Sequence, residues 1–145
     1  MLEALSRGAF VRDVRAMDRR VAKRRGWDIV EASYPILDVI FTHPTAGALR
    51  LKMHCTDWDE LPPSIDLLGA KGDYLRTKPP NTDGQFHPGA HPRTGRPFVC
   101  MRGALEYHTH PQHLSDVWEN YRGKPGMDLG GILFQLWRVW KRSVG

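Results

Sequence analysis

Residues 48–55, ALRLKMHC, alternate without a fault. Leu49, Leu51, Met53 and Cys55 fall on one face of an extended chain, and Arg50, Lys52 and His54 fall on the other. Side chains in a strand project with period two, so this pattern demands a sheet with one wet face and one buried face. It also assigns Cys55 to the core, where a free cysteine packs as a small hydrophobe. A fold able to use this strand needs partner strands and a layer to cover the apolar side.

Both are legible nearby. WDIVEAS (27–33) and ILDVIFTH (36–43) are short and rich in β-branched and aromatic residues, and HPTAG (43–47) reads as the turn into the alternating strand. Pro62 and Pro63 stop that run, and Ile65 and Leu67 restart a strand. The covering layer is predicted from Asp128, a plausible N-cap, to about Ser143. There Ile132, Leu136, Val139 and Trp140 make one apolar face that Leu133 and Trp137 widen. At the other end, residues 2–25 read as one helix, with Phe10, Val14, Met17 and Val21 at helical spacing and Gly26 closing it. SDVWENYRG reads as a further short helix starting at Ser115. Trp58, Trp118, Trp137 and Trp140 are read as core or loop-packing residues. The order helix, antiparallel strands, irregular segment, helix gives the class α+β and one domain over residues 1–145.

Composition excludes several alternatives. A hydrophobic content of 41% with 26% charged residues suits a globular chain, and no run of about 18 apolar residues exists to span a membrane. The N-terminus has no apolar stretch of the signal-peptide kind. Two cysteines in 145 residues form no disulfide framework, so a cytoplasmic setting is expected. The net charge of +5 is concentrated early, at Arg7, Arg12, Arg15, Arg19, Arg20, Lys23, Arg24 and Arg25. Such a helix suits an acidic partner. Nucleic acid is the weaker reading, because exposed aromatics are not interleaved with these cations.

The chemistry lies in PFVCMRGALEYHTHPQH, residues 97–113. Gly69 to Pro97 forms a long glycine- and proline-rich segment expected to cover or flank Cys100. If residues 104–110 are extended, Glu106, His108 and His110 share one side, and His113 folds back beyond Pro111. A carboxylate and imidazoles then converge near one thiol. Two chemistries fit, beside a purely structural reading of the cluster. Cys100 is a nucleophile assisted by histidine, or Cys100, Glu106, His108, His110 and His113 supply a zinc ligand set. A closed set would silence the thiol, and an open one would activate water.

The layout resembles the ubiquitin-conjugating enzyme (UBC) family. WDELPPSIDL (58–67) looks like that family's proline-rich stretch before the fourth strand. His91-Pro92 looks like the opening of its His-Pro-Asn tripeptide, and Gly95 through PFVCM looks like the approach to its cysteine. Arg93 stands where the family has asparagine, and EYHTHPQH replaces its acidic-tryptophan stretch. These departures look like a bacterial branch. A related family carries the ordered signature Cys, Glu, His, His and was described as a predicted metal-binding domain; Cys100, Glu106, His108 and His110 fit it in order.

The resemblance implies a fold of N-terminal helix, four-stranded antiparallel meander, long active-site segment and C-terminal helix packed on the sheet. It implies that Cys100 carries a ubiquitin-like modifier as a thioester, without a cofactor, and passes it to an amine or hydroxyl of a target protein. His108 or His110 would replace the missing asparagine as oxyanion donor or proton acceptor, with Glu106 orienting the imidazole. Arg93, Arg96 and Arg102 are near enough in sequence to favour the thiolate. His91 would hold the active-site segment, and the basic first helix would dock an activating enzyme. Zinc binding, or a non-catalytic docking module of the same fold, are the alternatives.

Overall fold

The computed structural model describes residues 2–80, 82 and 84–145. Its architecture is α+β, with an N-terminal helix, a four-stranded antiparallel sheet and a C-terminal helix. Strands β1 (Trp27–Ser33), β2 (Ile36–His43), β3 (Gly47–His54) and β4 (Ser64–Leu68) form a meander in the order β1-β2-β3-β4. Register follows the alternation: Leu37 pairs with Met53, Val39 with Leu51 and Phe41 with Leu49, while Leu51 and Met53 pair onward with Leu67 and Ile65. All eight side chains are buried, and Cys55 joins them. The opposite face is wet and charged, with Arg50 in a two-point ion pair to Asp38 at 2.9 and 2.6 Å and His54 on Asp66 at 2.8 Å.

The buried face is covered by α4 (Leu129–Val144), capped by Asp128, whose carboxylate accepts from the Gly131 N–H at 2.8 Å. Leu129, Ile132, Leu133, Leu136, Val139 and Trp140 are its buried residues, and Trp140 packs on Phe41 of β2 at 5.8 Å. Each large side chain removed from water here contributes roughly 1.5–3 kcal/mol.

The expected single helix over 2–25 is two. α1 (Glu3–Ala16) ends at Met17, and α2 (Arg19–Arg24) starts after Asp18. Asp18 is the cause: its carboxylate accepts from the Arg20 and Val21 N–H groups, an N-cap that competes with continuing the first helix. Asp13, nearly fully buried on α1, ties the layers together. It accepts from Trp58 Nε1 at 2.9 Å and from the Leu129 N–H at the start of α4 at 3.2 Å. Trp58, Trp118 and Trp140 are core residues, while Trp137 packs partly buried against the core.

The segment after β4 is more ordered than its composition suggests. The Leu75 N–H returns to the Leu67 carbonyl, and β5 (Phe86–His87) pairs with β6 (Phe98–Val99). Cys100 follows β6 directly, and its N–H donates to the Gln85 carbonyl at 2.9 Å. The expected helix from Ser115 is instead a one-turn 3-10 segment, Trp118–Asn120, preceded by another at Pro111–His113.

Candidate active site

Beyond Cys100 the chain turns sharply. The Ala104 N–H bonds the Met101 carbonyl, and Gly103 has φ +99 with Ile132 carbons only 3.1 Å from where a Cβ would stand. Left-handed backbone and lack of room both require glycine there. A single helical turn, α3 (Leu105–His108), comes next. This corrects the extended reading of 104–110. Residues two apart in a helical turn point to nearly opposite sides, so Glu106 and His108 diverge.

Glu106 turns inward to the sheet edge. One carboxylate oxygen accepts from the Ile65 N–H at 2.7 Å and the other from Ser64 Oγ at 2.7 Å, while the Leu105 N–H bonds the Pro63 carbonyl at 2.9 Å. These bonds blunt the open edge of β4. Burial pushes the Glu106 carboxyl up, against the hydrogen bonds from Ile65 and Ser64 that favour its ionised form. His108 is equally committed. Its Nε2 accepts from the Gly103 N–H at 3.1 Å, so its Nδ1 donates to the Asp116 carbonyl at 2.7 Å. Burial pushes this imidazole down in pKa. It braces the turn after Cys100 against the segment that leads to Trp118.

His113 is the imidazole that reaches the thiol. Its Nε2 lies 3.7 Å from Cys100 Sγ, and its ring stacks on Tyr107 with centroids 4.3 Å apart and planes at 18°. The Tyr107 hydroxyl donates to Asp116, which also accepts from Tyr121 at 2.6 Å and from Arg102 Nε at 3.3 Å. The Tyr107 hydrogen bond, first among these, holds the Asp116 carboxyl below its ordinary range. His110 sits one step further off. Its Nδ1 accepts from the Gln112 N–H at 3.2 Å, and its ring stacks on Phe98 and lies near His87, His91 and His113. Partial desolvation and the neighbouring histidines lower its pKa.

His91, buried, accepts at Nδ1 from the Arg93 N–H and donates from Nε2 to the Glu106 carbonyl at 2.9 Å. It links the loop before the cysteine to the turn after it, the supporting role expected of it. Of the three nearby arginines, Arg93 offers its backbone to His91, Arg96 covers Tyr74 and only Arg102 lines the cleft that holds Cys100.

Cys100 is half-buried and lines an open cleft of about 730 Å³. Burial pushes its thiol up from the ordinary value, so the resting group is the thiol. Cys55 has no access to solvent and is raised far more strongly by the same cause.

The proposed zinc set does not fit this arrangement. Both oxygens of Glu106 and both ring nitrogens of His108 are engaged elsewhere, which leaves Cys100, His110 and His113. Among the described residues no group of three or more His, Cys, Asp or Glu is placed to hold a metal ion. The sequence reading missed Tyr107, Asp116 and Tyr121, and assigned His113 only to the metal alternative. The two-residue spacing that grouped Glu106, His108 and His110 placed Tyr107 on the wrong side.

The site lies within a segment that a family model matches. Residues 89–145 match the model of the Y4jH-like family, described as the Y4jH family. The segment contains Cys100, Glu106, His108, His110, His113 and all of α4, and leaves out the four-stranded sheet. A protein of Sinorhizobium fredii (strain NBRC 101917 / NGR234), "Uncharacterized protein y4jH", is 38% identical over 50 residues. That match spans 34% of this chain and only 23% of the Sinorhizobium protein. Among the described residues no helix is long and apolar enough to cross a membrane.

Proposed function

We propose that the protein is a ubiquitin-conjugating-like acyl transferase of a bacterial conjugation pathway, carrying a ubiquitin-like modifier as a thioester on Cys100. The observation that carries this reading is the half-exposed sulfur in an open cleft, 3.7 Å from His113 Nε2. A cysteine for structure alone would sit as Cys55 does. The antiparallel meander with helices at both ends, and His91 holding the loops around the cysteine, agree with the layout of the family that the sequence resembles.

The proposed reaction has two halves. An activating enzyme presents the modifier's C-terminal acyl group as a thioester. His113 takes the Cys100 proton as the sulfur attacks that carbonyl. A bond forms from Sγ to the acyl carbon, and the activating enzyme's sulfur leaves and takes up that proton from His113. In the second half an amine or hydroxyl attacks the new thioester, its proton passes to His113, and the Cys100 sulfur departs and takes that proton back as the thiol. Tyr107 keeps the His113 ring in its plane, and Asp116 fixes Tyr107. His108 and Glu106 act as braces. His110, with Nε2 engaged in no hydrogen bond among the described residues, would serve as the donor to the oxyanion. The basic α1–α2 segment supplies a surface for the activating enzyme.

The test is incubation with a ubiquitin-like modifier, its activating enzyme and ATP from the same organism, followed by a non-reducing gel. A reductant-sensitive adduct absent from Cys100→Ala supports the reading. With active partners and no adduct, the protein is a docking module or a metal protein, which zinc analysis of the same preparation distinguishes.

A further inference from the structure

The cleft beside Cys100 is cationic in a way the transfer chemistry does not require. Lys124, Arg138 and Arg142 line it and are all exposed, and Arg102 enters from the side of the thiol. Arg102 has its carboxylate in Asp116. Among the described residues the other three have no carboxylate within ion-pair distance, and no carboxylate lines the cleft. Helix α4 contains no acidic residue, so Arg138 and Arg142, four positions apart on one face, have no neighbour on the helix to neutralise them. The helix C-terminus favours Arg142, but Arg138 lies beyond the last turn, where that field has faded.

We propose that this cleft holds an acidic, extended peptide segment, the arm of the polypeptide whose acyl group is delivered to Cys100. The inference deepens the transferase reading and rests on it for the identity of that arm. Spacing favours a peptide. Arg138 and Arg142 are separated by about 6 Å along the helix. Alternate side chains of an extended chain recur every ~6.6 Å, so carboxylates in the pattern acidic-x-acidic meet both guanidinium groups. Met127 and Val139 line the same cleft and offer apolar contact to the intervening residue. A nucleic acid would stack bases on exposed rings, but Tyr107 is covered by His113 and both Tyr107 and Tyr121 are tied to Asp116.

Cys100 reports on occupancy of this cleft whether or not it ever carries a modifier. The experiment follows alkylation of Cys100 by iodoacetamide in the full-length protein, read by mass spectrometry at low salt. The competitors, at millimolar concentration, are a Glu-Ala-Glu-Ala-Glu peptide, its lysine counterpart and oligothymidylate. The acidic peptide is expected to slow alkylation about fivefold, and the protection is expected to disappear with added salt. It should fall in Arg138→Gln/Arg142→Gln and vanish in Arg138→Glu/Arg142→Glu, protection being read as the ratio of each variant's own rates without and with peptide. Absence of protection, equal protection by the lysine peptide, or stronger protection by oligothymidylate would overturn the proposal. Protection without any thioester adduct keeps the acidic-peptide cleft and removes the transferase reading. An adduct without protection does the reverse.

Discussion

The Cys100 sulfur lies 3.7 Å from His113 Nε2, and the His113 ring lies flat on Tyr107. The thiol and its nearest base are thus positioned by different parts of the chain. Cys100 is set by the Gln85 carbonyl and the β5–β6 pair, whereas His113 is set by a tyrosine anchored on Asp116. Burial keeps the thiol protonated at rest, so the pair does not form a thiolate–imidazolium couple in advance. In the proposed transfer the proton would move only when the acyl donor arrives.

That resting state has a pH signature. Burial disfavours the thiolate, so alkylation of Cys100 by iodoacetamide should be slow at pH 7 and still rising beyond pH 9.0, the ordinary thiol value. A rate that levels off by neutral pH would show a preformed thiolate and contradict the mechanism.

Glu106, His108 and His113 separate by what their removal costs. His113→Ala should slow thioester formation about a hundredfold, within the usual range for a lost general base, with unfolding in urea unchanged. His108→Ala should instead cost about 1–3 kcal/mol, because the Gly103 N–H loses its acceptor in a half-buried turn. The folded His108 imidazole resists a proton that the unfolded chain accepts. Its contribution is therefore present above pH 6.5 and declines as pH falls below that value. Urea midpoints of wild type and variant from pH 5 to 8 should show the gap narrowing toward acid.

Glu106 behaves with the opposite sign. Its folded carboxyl is raised above 4.5, so the contribution of its titration is present below that value and is lost as pH rises through the folded value. Glu106→Gln should therefore gain on the wild type as pH rises from acid toward neutral. Glu106→Ala strands the Ile65 N–H at the sheet edge and should cost about 1–3 kcal/mol at any pH. A Glu106→Gln protein that stays folded but forms no thioester would return Glu106 to the reaction.

Tyr107 tests positioning. Tyr107→Phe keeps the face on which His113 rests, while Tyr107→Ala removes it. The alanine variant should lose about tenfold in the rate of thioester formation at saturating donor, and phenylalanine should restore most of it, as expected when a base is misplaced and not lost. Equal losses in both variants would assign the effect to the Asp116 hydrogen bond.

The sheet and its cover were legible because each carries one period over many residues. Leu49 to Cys55 sustain a period of two, and Ile132 to Trp140 keep the helical face, so local and tertiary preferences agree. The division at Asp18 was signalled by a good N-cap inside a helical pattern and was overridden in reading by the longer apolar repeat. Residues 104–110 misled for a different reason. EYHTH suits either period, and its conformation is decided by Pro63, Ser64 and Ile65, some forty residues earlier in the chain. The same distant contacts decide that Glu106 is a brace and leave His113 beside the thiol. Sequence spacing put histidines near Cys100 but did not show which ring faces the sulfur.

The central claim is that Cys100 carries an acyl group. Intact-mass measurement after incubation with a ubiquitin-like modifier, its activating enzyme and ATP tests it most directly. The expected result is a gain equal to the modifier's mass less one water, mapped to Cys100, released by thiol reductant and absent from Cys100→Ala. No mass gain with partners proven active on each other, or a gain that persists in Cys100→Ala, would contradict it.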